Sequence, residues 1–424
     1  MSLDVEEIFL VFRRECRMQQ NVKDRESEMN FYQKHVVLVN TWPVVNGRGG
    51  AERVFCDMAN ALSEMGYKVT LLCCDSRNGA MGYPLSNKVR FINACKGVPL
   101  WYKKPFRNLL CLGLKRESRH LKRRIIDYQW MIPALRKALR DICNVDVFIA
   151  FQASTTYMLK KIGVDGPIIT MFHSVPSIYI ESEEWSLLQK SVNESSALTV
   201  LMPNFVEMAQ NALSKVPVIC IPNAVQQFKK PSKLDGKSIV CLARLNSEKR
   251  IDLLLMAFNL IKEKFPDWSV DIYGELNKDI RYKEKVIKLH QALSLEGRVN
   301  FHGIAPDVEL VLNEASIFAF PSMFEGFGLA LVEAMSKGLA VVACKDCSAV
   351  NVIVEDGVNG LLVEPNPEAL ATALEQLILD KNLRKRLGSH ARLTALNYAP
   401  EKIWPKWNNL IMKVVNKEQG DLGC

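Results

Sequence analysis

At 424 residues the chain is too long for one ordinary core, and two domains are expected. Its 48% hydrophobic and 24% charged content excludes a disordered chain, and no apolar run approaches the roughly 18 residues needed to cross a bilayer. The net charge of +9 is uneven: between Trp101 and Arg140 stand 12 Lys/Arg and 2 acids, so that window carries +10 and the remainder −1.

Residues 1–34 mix charges with few apolar positions and no clear period. They are expected to form a poorly ordered extension, and residues 1–28 read equally as the product of a misplaced translation start. The short run Ile8–Phe12 follows acidic residues, which argues against a signal peptide. From His35 the chain alternates β and α units. His35-Val-Val-Leu-Val39 has the continuous apolar character of a strand buried in a parallel sheet. A loop at Gly47-Arg-Gly-Gly50 leads into a helix over Ala51–Met65, apolar at Val54, Met58, Ala61 and Leu62 and stopped by Gly66. Further strands are expected at Val69–Cys73, Val145–Phe151, Ile168–Phe172, Leu198–Met202 and Val218–Ile221. This first domain spans 35–225.

Polar and turn residues across 226–237 read as a linker. A second βα series occupies 238–399, with strands at Ser238–Leu242, Val270–Tyr273, Val299–His302, Ile317–Phe320, Ala340–Cys344 and Gly360–Val363. A last helix, from Pro400 to about Val415, carries Trp404 and Trp407 within a terminal segment 400–424. Two successive series of this kind predict two doubly wound domains with ligand in the crevice at the carboxyl ends of the strands. Twelve cysteines without paired spacing read as reduced thiols of a cytoplasmic protein. Cys344-Lys-Asp-Cys347 has no second Cys or His pair nearby to complete a zinc site, and it lies too late in the series for a redox motif. No metal site is expected.

The most informative segment is Phe320-Pro-Ser-Met-Phe-Glu-Gly-Phe-Gly-Leu-Ala-Leu-Val-Glu333. A strand runs into a Pro/Gly loop, and a helix opens near Gly328. Glu325 sits in the loop, and Glu333, eight residues on, falls on the second helical turn. The helix N-terminus between them attracts anions, so the arrangement suits a phosphate flanked by two hydroxyl-binding carboxylates. The run Glu325–Glu333 resembles the E-x₇-E signature of the retaining glycosyltransferases of family 4. That resemblance covers about Val36 to Trp407 and implies the GT-B fold: two facing Rossmann-like domains, with a C-terminal helix crossing back to the first.

By resemblance, Glu325 hydrogen-bonds the transferred sugar and supports positive charge at its anomeric carbon, while Glu333 accepts both ribose hydroxyls of the nucleotide. Phe327, Gly328 and Leu329 shape the loop whose N–H groups face the phosphates. Arg244 and Lys249, in Cys241-Leu-Ala-Arg-Leu-Asn-Ser-Glu-Lys249, are similar to the pair that grips the donor diphosphate. Gly274 stands where the family's second strand approaches the nucleotide. His173, just beyond an apolar strand, matches the histidine that reaches the donor sugar across the cleft. Gly49-Gly-Ala-Glu-Arg53 looks like the family's N-terminal substrate loop, in which Gly49 and Gly50 let backbone N–H groups approach a phosphate. The nicotinamide fingerprint fails there, because Glu52 stands where its third glycine is required. No Asp-x-Asp occurs to hold a cation, so the resemblance implies a diphosphate met by Arg and Lys, with no metal or other cofactor. Val352 departs from the family's pattern, standing where many relatives carry a Glu.

The implied function is transfer of a hexosyl or N-acetylhexosaminyl group from a nucleotide-sugar, with UDP the commoner nucleotide in the family, to a glycan or polyprenyl-linked acceptor. A non-hydrolysing sugar-nucleotide epimerase of the same fold needs acid/base carboxylates in the first domain for which there is no motif. A non-catalytic sugar- or lipid-binding partner of a membrane complex would have no use for the intact set Arg244, Lys249, Glu325 and Glu333. The basic window Trp101–Arg140 has bases every three or four positions beside apolar residues, which suits a helix lying on anionic lipid at the inner face of the cell membrane. No nucleic-acid motif accompanies it.

Overall fold

The computed structural model describes residues 33–97, 108–111, 116–275 and 279–421. The expected extension before residue 33, and most of the basic window between Trp101 and Lys115, lie outside the described residues.

Seven strands form one all-parallel sheet: β1 (His35–Asn40), β2 (Lys68–Cys73), β3 (Arg90–Asn93), β4 (Val147–Ala150), β5 (Ile168–Met171), β6 (Ala197–Val200) and β7 (Val218–Cys220), in the order β3-β2-β1-β4-β5-β6-β7. Six more form a second: β8 (Ser238–Leu242), β9 (Ser269–Tyr273), β10 (Val299–Gly303), β11 (Ile317–Phe320), β12 (Ala340–Cys344) and β13 (Leu361–Val363), in the order β10-β9-β8-β11-β12-β13. All strands run parallel, and the strand order of each sheet reverses once, between β1 and β4 and between β8 and β11. The crevice outside those strand ends is the topological place for a ligand. Registers run Val36↔Val69 and Val36↔Val147 in the first sheet and Ile317↔Ile239 in the second.

The apolar periodicity of the helix Gly50–Glu64 determines what it covers. Phe55, Met58 and Leu62 lie on one stripe and are fully buried against the first sheet, with Phe55 packed edge-on to Phe151 at 4.6 Å. Burial of three such side chains contributes about 1.5–3 kcal/mol each. The C-terminal helix Pro400–Asp421 packs into the same cluster through Ile403, Trp407 and Ile411, so the end of the chain crosses back onto the first domain. On the far side of the second sheet, Leu254, Phe258 and Leu374 close a separate core. A third cluster runs without a break from Phe148 and Phe172 of the first domain to Phe318, Leu331 and Met335 of the second. The two domains therefore meet through packed apolar side chains as well as across the crevice.

Several local expectations shift. β3 carries no buried residue, and an edge strand of this kind leaves no apolar run to find. β6 starts one residue before the expected Leu198 and ends at Val200, because Met202 already belongs to the turn before the helix Asn204–Ala212. The terminal helix continues past Val415 to Asp421. The segment 226–237 is polar but fastened: Ser232 N–H donates to Lys337 O at 2.8 Å, Ser232 Oγ donates to Ala315 O at 3.0 Å, and Leu234 is buried.

Candidate active site

The loop after β11 and the helix Leu329–Ser336 form the floor of the site. Gly328 caps that helix at φ 95°, a left-handed conformation open to glycine at little cost. Two residues earlier, a Cβ on Gly326 would lie 2.1 Å from the carbonyl oxygen of His173 in the other domain, so the close approach of the two walls requires glycine there. Met323 N–H donates to Glu248 O at 2.8 Å, which ties this loop to the turn after β8. Phe327 is buried edge-on to Tyr398 at 5.1 Å, so it fixes the loop from the core side.

That second turn carries the cationic residues. Lys249 ends the 3₁₀ turn Ser247–Lys249, and its Nζ donates to Glu325 Oε1 at 2.7 Å and to Phe324 O at 3.4 Å. The two side chains are only 12% and 14% exposed, so the pair is largely removed from water. Arg244 follows β8 and is exposed on the same loop, which Leu245 N–H anchors to Glu275 O at 3.0 Å, next to Gly274. Gly274 N–H in turn donates to Gly303 O at 2.7 Å. Arg250, at φ 48°, donates Nη1 to Asp346 Oδ1 at 2.9 Å and joins this loop to the end of β12. Val352 is 40% exposed on the short helix Val350–Ile353.

Glu333 lies on the second turn of its helix and is 5% exposed. Arg53, from the helix Gly50–Glu64 of the opposite domain, donates Nη1 to Glu333 Oε1 and lies 3.5 Å from Asp57 through Nε. Burial pushes the Glu333 carboxyl above its usual range, and the guanidinium only partly reverses this. Gly49 caps the Arg53 helix, and a Cβ on Gly50 would stand 2.9 Å from Leu329 Cδ1. The glycine loop thus faces the N-terminus of the Leu329–Ser336 helix.

His173 follows β5, with its ring stacked on Phe151 at 4.8 Å and its backbone N–H donating to Tyr179 Oη at 3.2 Å. Part of the residue reaches the surface, but Nε2 is shielded and has no hydrogen-bond partner. Burial pushes its pKa down to about 4, so the ring is neutral at physiological pH.

Two supports are absent from the sequence reading. Asp75, at the end of β2, is 1% exposed and accepts Val45 N–H at 2.8 Å and Arg77 Nη2 at 2.8 Å, which steadies the segment before the glycine loop. Burial alone would raise its carboxyl, but the hydrogen bonds from Arg77 and from the backbone hold it below the usual range. Arg53 was visible only as part of a string; nothing local marks it as the partner of a carboxylate 280 positions away. Cys344 and Cys347 are both buried, and burial raises each thiol to about 11. Among the described residues no group of His, Cys, Asp and Glu is arranged to hold a metal ion.

Comparison with known proteins agrees with this architecture. Residues 48–226 match the family described as Glycosyltransferase Family 4, and residues 223–394 match Glycosyl transferases group 1. An uncharacterized glycosyltransferase of Haemophilus influenzae is 26% identical over 377 residues, covering 87% of this chain and 97% of that one. A Campylobacter jejuni α-1,4-N-acetyl-D-galactosaminyltransferase that is named for an undecaprenol-diphosphate-linked glycan is 27% identical, covering 87% and 96%. Among solved structures, a TarM mutant of S. aureus in complex with fondaparinux, α-GlcNAc-glycerol and UDP superposes with a TM-score of 0.70 at 15% identity, covering 89% of this chain and 100% of that one. Two facing parallel sheets, a returning terminal helix and both family matches across the two halves lead to one conclusion: the chain belongs to the glycosyltransferases of group 1 and family 4, with the GT-B fold.

Proposed function

We propose that the chain is a retaining hexosyl- or N-acetylhexosaminyltransferase that takes its sugar from a nucleotide-sugar, with UDP favoured, and passes it to a glycan or a lipid-linked glycan. The observation that carries this reading is the contact of Lys249 with Glu325 at the strand ends of the second sheet, where the adjoining Gly326 meets His173 of the other domain. UDP accompanies several of the structures that share the fold, TarM and the pneumococcal GtfA among them.

In this reading Arg244 and Lys249 meet the charge that grows on the diphosphate, and the N-terminus of the Leu329–Ser336 helix adds its free N–H groups. The acceptor hydroxyl attacks the anomeric carbon from the face the diphosphate leaves. The bond from that carbon to the β-phosphate oxygen breaks, the bond to the acceptor oxygen forms, and the acceptor proton passes to the departing phosphate. No separate base and no divalent cation are required. Glu325 supports the positive charge at the anomeric carbon, and the neutral His173, whose shielded Nε2 has no protein partner, turns it to a sugar hydroxyl once the cleft opens to admit the donor. Closing the apolar seam between the domains excludes water that would hydrolyse the donor.

The test is sugar transfer by the purified full chain, with UDP- and GDP-sugars in turn, in the presence of EDTA. Release of free nucleotide that depends on an added glycan acceptor, with the anomeric configuration kept, is the expected result. Inversion of configuration, or dependence on a divalent cation, refutes the mechanism.

The helix Arg116–Arg140 supports peripheral attachment to an anionic membrane on the cytoplasmic side. Its exposed bases include Lys122, while Arg124 is engaged by Glu184 at 2.7 Å. No helix among the described residues is long and apolar enough to cross a membrane. Flotation with vesicles of anionic and of neutral lipid decides the matter: co-migration with the anionic vesicles alone, lost when Lys122, Arg123 and Arg124 become Ser, is expected. Failure to co-migrate at physiological salt removes the membrane.

A further inference from the structure

We propose that Arg53 of the first domain completes the ribose site of the second: by donating to Glu333 Oε1 it fixes that buried carboxylate, charged, with its other lone pairs free for the two ribose hydroxyls. The inference rests on the nucleotide-sugar reading above and on Glu333 being the ribose acceptor, the role that the family resemblance implies.

Glu333 sits in a helix whose Leu331, Val332 and Ala334 are fully buried. A carboxylate in such surroundings takes up a proton unless a cation or several donors hold it ionised. Within the second domain the nearest cation on its own helix end, Lys337, is committed to Glu309 at 2.9 Å. Among the described residues, the charged and titratable groups that act on it come from the first domain: Arg53, with Asp57 and Tyr83 around the guanidinium, while Glu52 lies beyond Tyr83 over the glycine loop. Asp57 acts against ionisation of Glu333, and Arg53 acts for it. Arg53 spends Nη1 on Glu333 and turns Nε toward Asp57, so it uses one of about four acceptor positions on the Glu333 carboxylate. The rest remain for a vicinal diol.

Donor retention then depends on closure. With the domains apart, Glu333 loses its cation and its hold on ribose weakens; with the domains together, both are assembled. A simple latch has the opposite consequence, because a guanidinium that merely competed with ribose would leave the nucleotide bound more tightly once removed.

The experiment is calorimetric titration of the full chain with UDP and with GDP, and with the 2′-deoxy form of whichever binds, at several pH values. Parent, Arg53→Gln, Arg53→Lys and Asp57→Asn are compared. Arg53→Gln is expected to bind the nucleotide at least about tenfold more weakly and to lose most of the parent's preference for the 2′-hydroxyl, with Arg53→Lys recovering much of both. Its acid limb of binding should move up by about one to three pH units as Glu333 protonates more readily. Asp57→Asn, which removes the opposing carboxylate and keeps Arg53, is expected to move that limb down; this arm decides the question if Arg53→Gln does not fold. Unchanged or tighter nucleotide binding in Arg53→Gln, or an acid limb that stays or rises in Asp57→Asn, overturns the inference while leaving the donor site intact. If the parent binds neither UDP nor GDP, the donor reading itself fails and this inference falls with it.

Discussion

The contact between Lys249 and Glu325 gives a quantitative test of the site. Nζ and Oε1 are 2.7 Å apart, and about seven-eighths of each side chain is out of water. Breaking a fully buried pair by removing one partner costs about 3–5 kcal/mol, because the other charge is stranded. The residual exposure of both groups screens this, so about 1–3 kcal/mol is expected for Lys249→Ala or Glu325→Gln. Catalysis should suffer more than stability. Loss of one group that meets charge only in the transition state costs about 10²- to 10³-fold in kcat. Steady-state transfer assays on both single variants and the double variant complete a cycle, with thermal unfolding of each measured in parallel. If the two side chains act as a unit, the double variant will be no more than about threefold slower than the worse single variant. Losses that multiply, or kcat/KM within about threefold of the parent in either folded single variant, refute the assignment.

Gly326→Ala places a methyl group against His173 O, where a Cβ would lie 2.1 Å away, so the domains should fail to close: transfer falls by about 10²-fold while each domain keeps its fold, read by far-UV circular dichroism and turnover. His173 has its pKa lowered from 6.5 to about 4, so the unfolded chain binds more protons between those values. The stability contributed by the neutral ring is full above about pH 6.5 and is lost as pH falls toward about 4, by up to about 3 kcal/mol. Urea melts from pH 7 to 5 should therefore show a smaller loss for His173→Gln than for the parent, and an equal loss refutes the burial argument. Trp407→Ala empties the seat of the returning helix and should cost about 3–5 kcal/mol in the first domain's unfolding transition.

Legibility tracked how local each signal was. β8, β11 and β12 match the strands expected from sequence because each is a short apolar run between polar boundaries. β3 was not visible, since this edge strand is only four residues long and half-buries just two apolar side chains, Phe91 and Ile92, one on each face, which leaves no apolar run or period to detect. The segment 226–237 reads as a linker by composition, and its attachment is not legible there: Ser232 is bound to Asn313, Ala315 and Lys337, about 80 to 105 positions away, and Leu234 O accepts from Arg384 across 150. Composition reports solvent exposure on average and cannot report which backbone carbonyls lie nearby.

What the amino-acid order alone determined is the paired acids of a single loop and helix: Glu325 and Glu333 are eight residues apart, and helical geometry relates them wherever the rest of the chain goes. Two βα series in succession likewise implied the fold. Only tertiary structure decided their partners. Lys249 reaches Glu325 across 76 positions and Arg53 reaches Glu333 across 280, and in both cases the meeting depends on how strands are ordered in a sheet and how two domains face each other. Periodicity encodes which face of an element is buried; it carries no information about which distant charge that face will meet.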